Sequence, residues 1–89
     1  MYDEVFNAAD KVDCFESFIE FMRILEESFI KNGSSWENHT LDRFIEAAAA
    51  WASASSDKKI DPNIKTASWQ NFARILSSGI IYEWKKIHD

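Results

Sequence analysis

Three stretches of the chain carry apolar residues at the three- and four-residue spacing of an amphipathic α-helix. This spacing predicts helices over about 13–31, 40–54 and 68–86. With only two glycines and one proline, the chain has few of the turn residues that small sheet proteins need. We therefore predict an all-α fold, a small bundle of three main helices in a single domain over residues 1–89.

The predicted helix ends rest on capping residues. Asp13, followed three residues later by Glu16, fits a capping box at the start of the first helix, and Gly33 fits its stop. Thr40 and Ser68 are the expected N-caps of the second and third helices.

Two segments lie outside the predicted helices. A short apolar arm precedes them and is expected to pack back onto the bundle; its apolar residues are Tyr2, Val5 and Phe6. The 53–67 segment is predicted to be a long surface loop, with Ile60 and Ile64 as apolar anchors.

The second helix combines the largest and the smallest side chains. Four consecutive alanines, residues 47–50, lie between Trp36 and Trp51. Alanines leave a shallow helix surface that neighbours can approach closely, and the tryptophans then fill the wider spaces at either end. The predicted inward face of this helix is Leu41, Phe44, Ile45, Ala48, Trp51 and Ala52.

The third helix is expected to supply the matching surface. Gly79 interrupts it, and because a glycine inside a helix costs about 1 kcal/mol, it indicates the close approach of another helix or chain. The predicted inward face comprises Trp69, Phe72, Ala73, Leu76, Ile80, Trp84 and Ile87.

The first helix has more apolar surface than one small core requires. Its predicted inward stripe is Phe18, Phe21, Met22, Leu25 and Phe29, and the residues that widen it are Phe15, Ile19, Ile24 and Ile30. The apolar arc covers roughly two thirds of the circumference, where a surface helix usually needs about 100°. Either the arm and the loop cover this excess, or another polypeptide does.

A polar strip on the first helix and a small apolar stripe on the third are the candidate docking sites. Arg23 is spaced to pair with Glu20 and Glu27, so the strip is either an ordinary solvated face or a surface for a basic partner. The candidate partner-binding residues are Glu16, Glu20, Arg23, Glu27, Ile75 and Tyr82.

Charge and composition narrow the possible functions. Fifteen acidic and ten basic side chains give a net charge of −5, which disfavours direct nucleic-acid binding and suits a basic protein partner, although solubility alone also explains it. The chain shows neither a membrane span nor a signal peptide, which favours a cytoplasmic protein.

No catalytic or ligand-binding signature is present in the sequence. Cys14 is the only cysteine, and neither His39 nor His88 is spaced to form a nucleophile–base pair or a metal site. We therefore expect no catalytic residues, no metal and no cofactor, and predict that the protein is not an enzyme.

Three segments, "FESFIEFMRIL", "WENHTLDRFIEAAAAW" and "SWQNFARILSSGIIYEW", resemble a family of small uncharacterised bacterial helical domains. Its members read like D-F-x-x-F-x-x-x-L, W-E-N-x-T-L-x-x-F-L-E-A-x-x-A-W and S-W-x-x-F-A-x-x-L-x-x-A-x-I-Y-E. The resemblance covers about Phe15 to Trp84, and it implies no catalytic residues. Gly79 or its neighbour stands where the family's alanine before I-Y-E is usual, and the loop before the third helix differs.

In size, acidity and helical build the chain is also similar to immunity proteins of bacterial toxin systems, including contact-dependent growth inhibition. That likeness implies a non-enzymatic protein that binds and neutralises a cognate toxin with a basic domain; a nuclease is one such toxin. The alternative is a self-associating structural or regulatory domain, in which a homodimer buries the excess apolar surface of the first helix.

Overall fold

The structure, a computed structural model, describes residues 3–57 and 62–82. Its helices are α1 (Asp3–Asp10), α2 (Phe15–Asn32), α3 (Leu41–Asp57) and α4 (Trp69–Ser78), with 3-10 turns at Gly33–Ser35 and Pro62–Lys65. The all-α prediction is confirmed. The described part of the chain contains four helices, however, where three main helices were expected.

Helix α4 lies at the centre of the bundle and packs against α1, α2 and α3. Its inner positions carry small side chains, since Ala73, Ser77 and Ser78 are all buried. Small side chains allow the three neighbouring helices to approach one short element. The buried core cluster consists of Val5, Ala9, Val12, Phe21, Leu25, Trp36, Ala73 and Ile80.

The predicted N-terminal arm is a helix. Val5 and Ala9 of α1 are buried, and Val12 follows on the same side just beyond its end. The arm does pack back onto the bundle, against α2 and α4. Eight residues are too short for periodicity or propensity to predict a helix, because tertiary packing supplies most of its stability. Tyr2 lies outside the described residues.

Helix α2 starts two residues later than predicted, with Cys14 as its N-cap. The Oγ of Ser17, rather than the carboxylate of Glu16, accepts hydrogen bonds from the backbone N–H groups of Asp13 (2.9 Å) and Cys14 (3.1 Å). The capping box was therefore placed one residue too early. Gly33 follows the last residue of α2, as expected.

Helix α4 begins after Ser68, whose Oγ accepts from the Asn71 N–H as predicted, but it ends at Ser78 instead of 86. Asn38 binds the carbonyl groups of the turn that follows this end. Its Nδ2 donates to the carbonyl of Gly79 (3.0 Å), and its backbone N–H donates to that of Ile80 (3.1 Å). Trp84, Lys86 and Ile87 lie outside the described residues.

The predicted 53–67 loop is partly ordered into regular structure. Helix α3 extends to Asp57, three residues past the expected end, and the turn at Pro62–Lys65 buries Ile64 as the predicted anchor. The Asn71 Nδ2 donates to the carbonyls of Asn63 and Thr66, both at 2.7 Å, and so holds this turn against α4. Ile60, the other predicted anchor, lies outside the described residues.

The alanines of α3 serve close packing, but its inward face is rotated from the predicted one. Ala47 and Ala48 are buried, whereas Leu41 and Ile45 are 74% and 57% exposed. The assignment of those two residues to the core was wrong. The inner row instead runs through Phe44, the two alanines and Ser55, because the carbonyl of Phe44 lies against Gly79.

No helix in the described ranges combines the length and apolar composition needed to cross a bilayer.

The predicted close approach at Gly79 is confirmed, although the residue caps α4 rather than interrupting it. A Cβ atom at Gly79 would lie 2.8 Å from the backbone oxygen of Phe44, which cannot move without shifting α3. We expect Gly79→Ala to lower the free energy of unfolding by about 1–3 kcal/mol, measured by urea denaturation.

Gly33→Ala is the matched control. The three atoms nearest to a Cβ at Gly33 all belong to the ring of Phe29, a side chain that is 48% exposed and, unlike a backbone oxygen, can shift without moving a helix. The control should therefore stay within about 1 kcal/mol of the parent protein. Equal losses in the two variants would contradict a backbone contact at Gly79.

Candidate functional site

Two helices start with the same pattern, an aromatic residue followed by phenylalanine three positions later. Phe15 and Phe18 open α2, and Trp69 and Phe72 open α4. The Trp69 ring centroid lies 5.3 Å from Phe15, 5.2 Å from Phe18 and 5.8 Å from Phe72. The four rings form one cluster at the end of the bundle, which we name the aromatic patch.

Much of the aromatic patch faces solvent. Phe15 is 50% exposed, Trp69 39% and Phe72 41%, while Phe18 is half-buried against Phe21. The sequence placed Trp69 and Phe72 on an inward face, and that was wrong for both. Their positions at the first turn of α4 put them at the edge of the bundle, where no described helix covers them.

Acidic side chains border the aromatic patch. Asp13 lines a cleft of about 530 Å³ together with Trp69 and Phe72. Gln70 lines the same cleft, and its Nε2 donates to the backbone carbonyl of Asp10 at 2.9 Å, so the exposed residue Asp10 lies near this cleft. Glu16 follows Phe15 directly on α2 and is exposed. Asp13 thus borders the rings, and Asp10 and Glu16 are exposed acidic residues close to it along the chain; we name the three the acidic edge.

A second apolar surface lies between α2 and the start of α3. It is a groove of about 380 Å³, which we name the apolar groove. Its lining is mostly hydrophobic and comprises Met22, Leu25, Glu26, Phe29, Trp36, Asn38, His39, Thr40, Leu41 and Phe44.

The rim of the apolar groove is exposed. Met22 is 39% exposed, Phe29 48% and Leu41 74%, although the sequence placed all three on inward faces. Ile45, one turn after Leu41 on α3, is 57% exposed, and Ile30, which directly follows Phe29 on α2, is 74% exposed. The excess apolar surface expected for the first predicted helix is therefore present, and the start of α3 extends it.

The floor of the apolar groove is held rigidly. Trp36 is 6% exposed, stacks on Phe44 at 5.9 Å and meets Phe29 edge-on at 5.1 Å, so it fills the space at this end of the alanine run. Its Nε1–H is buried without an acceptor among the described residues. Asn38 fixes the next residues, since its Nδ2 also donates to the Tyr82 carbonyl at 3.0 Å.

The predicted partner-binding residues do not form one site. Glu16 borders the aromatic patch, while Glu20 lies beside α1 and lines a separate cavity of about 350 Å³. Ile75 and Tyr82 are both half-buried, and Tyr82 follows the end of α4, so the two do not form a helical stripe.

The acidic strip of α2 is paired differently from the prediction. Glu27 forms an ion pair with Lys31, at 2.7 Å between Nζ and Oε1, and not with Arg23. The hydrogen bond from Lys31 and its positive charge lower the pKa of Glu27, and the same contact raises the pKa of Lys31. Both side chains are about two-thirds exposed, so this pair contributes little to stability.

Sequence reasoning did not identify either surface as a site. The aromatic patch had a detectable signal, the repeated aromatic–x–x–Phe pattern at two helix starts. The apolar groove had none, because Leu41 fits a helical inward face by spacing alone. In the described ranges, no three His, Cys, Asp or Glu residues converge to hold a metal ion.

The comparisons with known proteins bear on the segment from the start of α2 onward. One family model matches residues 15–83, which is most of the chain. The chain belongs to the DUF7660 family. DUF7660 is described as a family of unknown function, which agrees with the expected uncharacterised helical family and leaves the likeness to immunity proteins a prediction. No curated protein and no solved structure matches the chain.

In this DUF7660 chain, Asn38 is expected to be the side chain that holds the groove segment to α4. Asn38→Ala leaves the carbonyls of Gly79 and Tyr82 without their donor and should lower the free energy of unfolding by about 1–3 kcal/mol. Asn7→Ala, at an exposed position of α1, is the control and should change it by less than about 0.5 kcal/mol. Urea denaturation measures both.

Asn38→Asp adds a test of the donor role. A charged carboxylate would face two carbonyl oxygens, so this variant should be least stable at neutral pH. It should recover as the pH falls and the carboxyl group gains a proton to donate. Equal stability of the Asn38→Ala and Asn7→Ala variants would contradict this role. So would an Asn38→Asp variant whose stability relative to the parent protein does not recover at acid pH.

Proposed function

We propose that this DUF7660 chain is a non-enzymatic protein-binding domain and that the aromatic patch with its acidic edge binds a basic partner protein. The observation that carries the proposal is the exposure of three contacting aromatic rings, Phe15, Trp69 and Phe72, beside carboxylates. Exposed aromatic clusters of this kind are typical of interfaces with other proteins.

The two parts of this surface have different roles in binding. Trp69 is the residue type that most often dominates interface energy, and its contacts with Phe15 and Phe18 hold its ring in place before a partner arrives. Asp10 and Glu16 lie at the solvated edge, where charges accelerate encounter more than they strengthen the complex.

Part of the negative charge near the rings stabilises the start of α2. Asp13 accepts a hydrogen bond from the Ser17 hydroxyl at 3.1 Å beside the N-terminus of α2, where negative charge stabilises a helix. The two helix N-termini that meet here each contribute about half a positive charge. The three carboxylates together carry more negative charge than that, so the acidic edge remains negative. The net charge of −5 adds a long-range attraction for a basic partner.

The most concrete form of this function is an immunity protein that neutralises a cognate bacterial toxin with a basic surface, of the contact-dependent growth inhibition type. The supporting features are the small acidic helical build and the exposed aromatic anchors. In that role the partner-binding residues of the sequence prediction include Glu16, which borders the aromatic patch.

The test uses the purified product of the reading frame directly upstream of this chain in its native genome. We expect the upstream gene product to bind this chain. The association rate should fall as salt is added, because salt screens the long-range attraction between the two proteins. Phe15→Ala should weaken binding about tenfold or more, since it removes an exposed anchor. Surface plasmon resonance gives both rates.

Glu16→Lys and Glu26→Lys form a matched pair of charge reversals on α2. Glu16 borders the aromatic patch and Glu26 lines the apolar groove, so only Glu16→Lys should slow association. Full binding by Phe15→Ala, or equal slowing by the two reversals, would show that the aromatic patch is not the docking surface. No binding of the upstream product would contradict the immunity form.

A further inference from the structure

We propose that the cleft lined by Asp13, Trp69 and Phe72 receives an arginine side chain of the basic partner protein. The guanidinium group stacks on the Trp69 ring and pairs with the Asp13 carboxylate. This inference rests on the proposed function, because it concerns the same aromatic patch. It goes further by naming the residue that the partner inserts and the two side chains that bind it.

The cleft, of about 530 Å³, combines apolar and polar lining in one concave site. Its lining includes the apolar side chains of Val12, Ala67 and Phe72, the ring of Trp69, and the polar side chains of Asp13 and Gln70. An arginine side chain has the same two parts, an aliphatic stem that packs on apolar surface and a charged head that needs acceptors. The cleft therefore matches the whole side chain and not its charge alone.

Trp69 offers a ring surface for the guanidinium group. The ring is 39% exposed, and its contacts with Phe15 (5.3 Å), Phe18 (5.2 Å) and Phe72 (5.8 Å) hold it in place. A cation within about 6 Å of a ring centroid is attracted by the electron-rich face, and tryptophan gives the strongest such contact. Arginine suits this contact better than lysine does, because its planar head also stacks on the ring.

Asp13 supplies the acceptor in the same cleft. Its Oδ1 accepts a hydrogen bond from the Ser17 hydroxyl at 3.1 Å, so the carboxylate is oriented before a partner arrives. A carboxylate has about four acceptor sites, and one hydrogen bond leaves room for the two parallel bonds that a guanidinium group donates. The Gln70 Nε2 donates to the Asp10 carbonyl, which leaves the amide oxygen of Gln70 as a second acceptor in the lining.

The charges around the cleft favour a cation. Lys11, Lys65 and Arg74 are the basic residues nearest to the cleft along the chain, but none of them lines it. Lys11 lines the separate cavity between α1 and α2. The N-termini of α2 and α4 together contribute about one positive charge, which the three carboxylates of the acidic edge exceed.

Titration of the full chain with N-acetyl-arginine amide, followed by ¹⁵N NMR, tests the cleft without any partner protein. We expect saturable shifts of the Asp13 backbone amide and of the Trp69 indole N–H, which Trp69→Phe identifies by its absence. N-acetyl-citrulline amide has the same shape without the charge and should bind about tenfold more weakly or less. N-acetyl-lysine amide should also bind more weakly than the arginine compound, because its head does not stack on a ring.

Asp13→Asn and Glu26→Gln form a matched pair of variants, since each removes one carboxylate from α2 or the residues just before it. Asp13→Asn keeps a side-chain oxygen for the Ser17 hydroxyl and should raise the dissociation constant for N-acetyl-arginine amide about tenfold. Glu26→Gln changes the apolar groove instead and should leave that constant unchanged. Trp69→Leu removes the ring and should also weaken binding, measured at the Asp13 amide. Circular dichroism checks that each variant keeps its helices.

The upstream gene product separates this inference from the proposed function. If that protein binds, Asp13→Asn should speed its dissociation, because a paired charge inside the interface is lost, whereas Glu16→Lys should mainly slow association. If it does not bind, the immunity form is contradicted, and Asp13-dependent binding of N-acetyl-arginine amide would still support the cleft.

Three results would overturn the inference. The first is equal binding of the arginine and citrulline compounds, and the second is a lysine compound that binds as tightly as arginine. The third is an Asp13→Asn variant that keeps its circular dichroism spectrum and binds N-acetyl-arginine amide as tightly as the parent chain.

Discussion

The structure depends on the junction between the end of α4 and the segment that leads into α3. Asn38 donates three hydrogen bonds there, two from its side chain and one from its backbone, to the carbonyls of Gly79, Ile80 and Tyr82. Because Gly79 has no side chain, the backbone of Phe44 can pack directly against it at the same junction. One residue thus joins the segment before α3 to the turn after α4, where Ile80 is fully buried.

Both exposed surfaces follow from this arrangement. Since α4 is short and central, its first turn reaches the edge of the bundle, where Trp69 joins the rings of α2 outside the core. At the other end, attachment of the 36–40 segment rotates α3 so that Phe44 and the alanines face inward, and Leu41 faces solvent. The same packing that closes the core therefore leaves two separate apolar faces exposed to solvent.

The fold class and several local features could be predicted from the sequence alone, because they depend on residues that are close together along the chain. Ser68 as an N-cap, the stop at Gly33 and the close packing at Ala47 and Ala48 all follow from spacing and backbone geometry. The end of α4 did not, because the contacts made there come from Asn38, more than forty positions away along the chain. Helix α1 was missed because its stability comes from contacts with α2 and α4.

The two surfaces were harder to predict for the same reason. Helical spacing shows which residues share a face, but it does not show where a neighbouring helix ends and leaves that face uncovered. Met22, Phe29 and Leu41 fit inward stripes by spacing, and only the relative positions of α2, α3 and α4 show them to be exposed. The excess of apolar residues could be counted from the sequence, but its location could not.

The central claim is that a single copy of this chain leaves both apolar faces open to solvent. Paramagnetic relaxation by a soluble probe, measured by NMR on the isolated chain at high dilution, tests it most directly. We predict strong relaxation of the Leu41 methyl groups and the Phe15 ring, and little at Phe21 or Ile80. If Leu41 and Phe15 were as protected as Phe21, the chain would cover these faces itself, and neither would need another polypeptide.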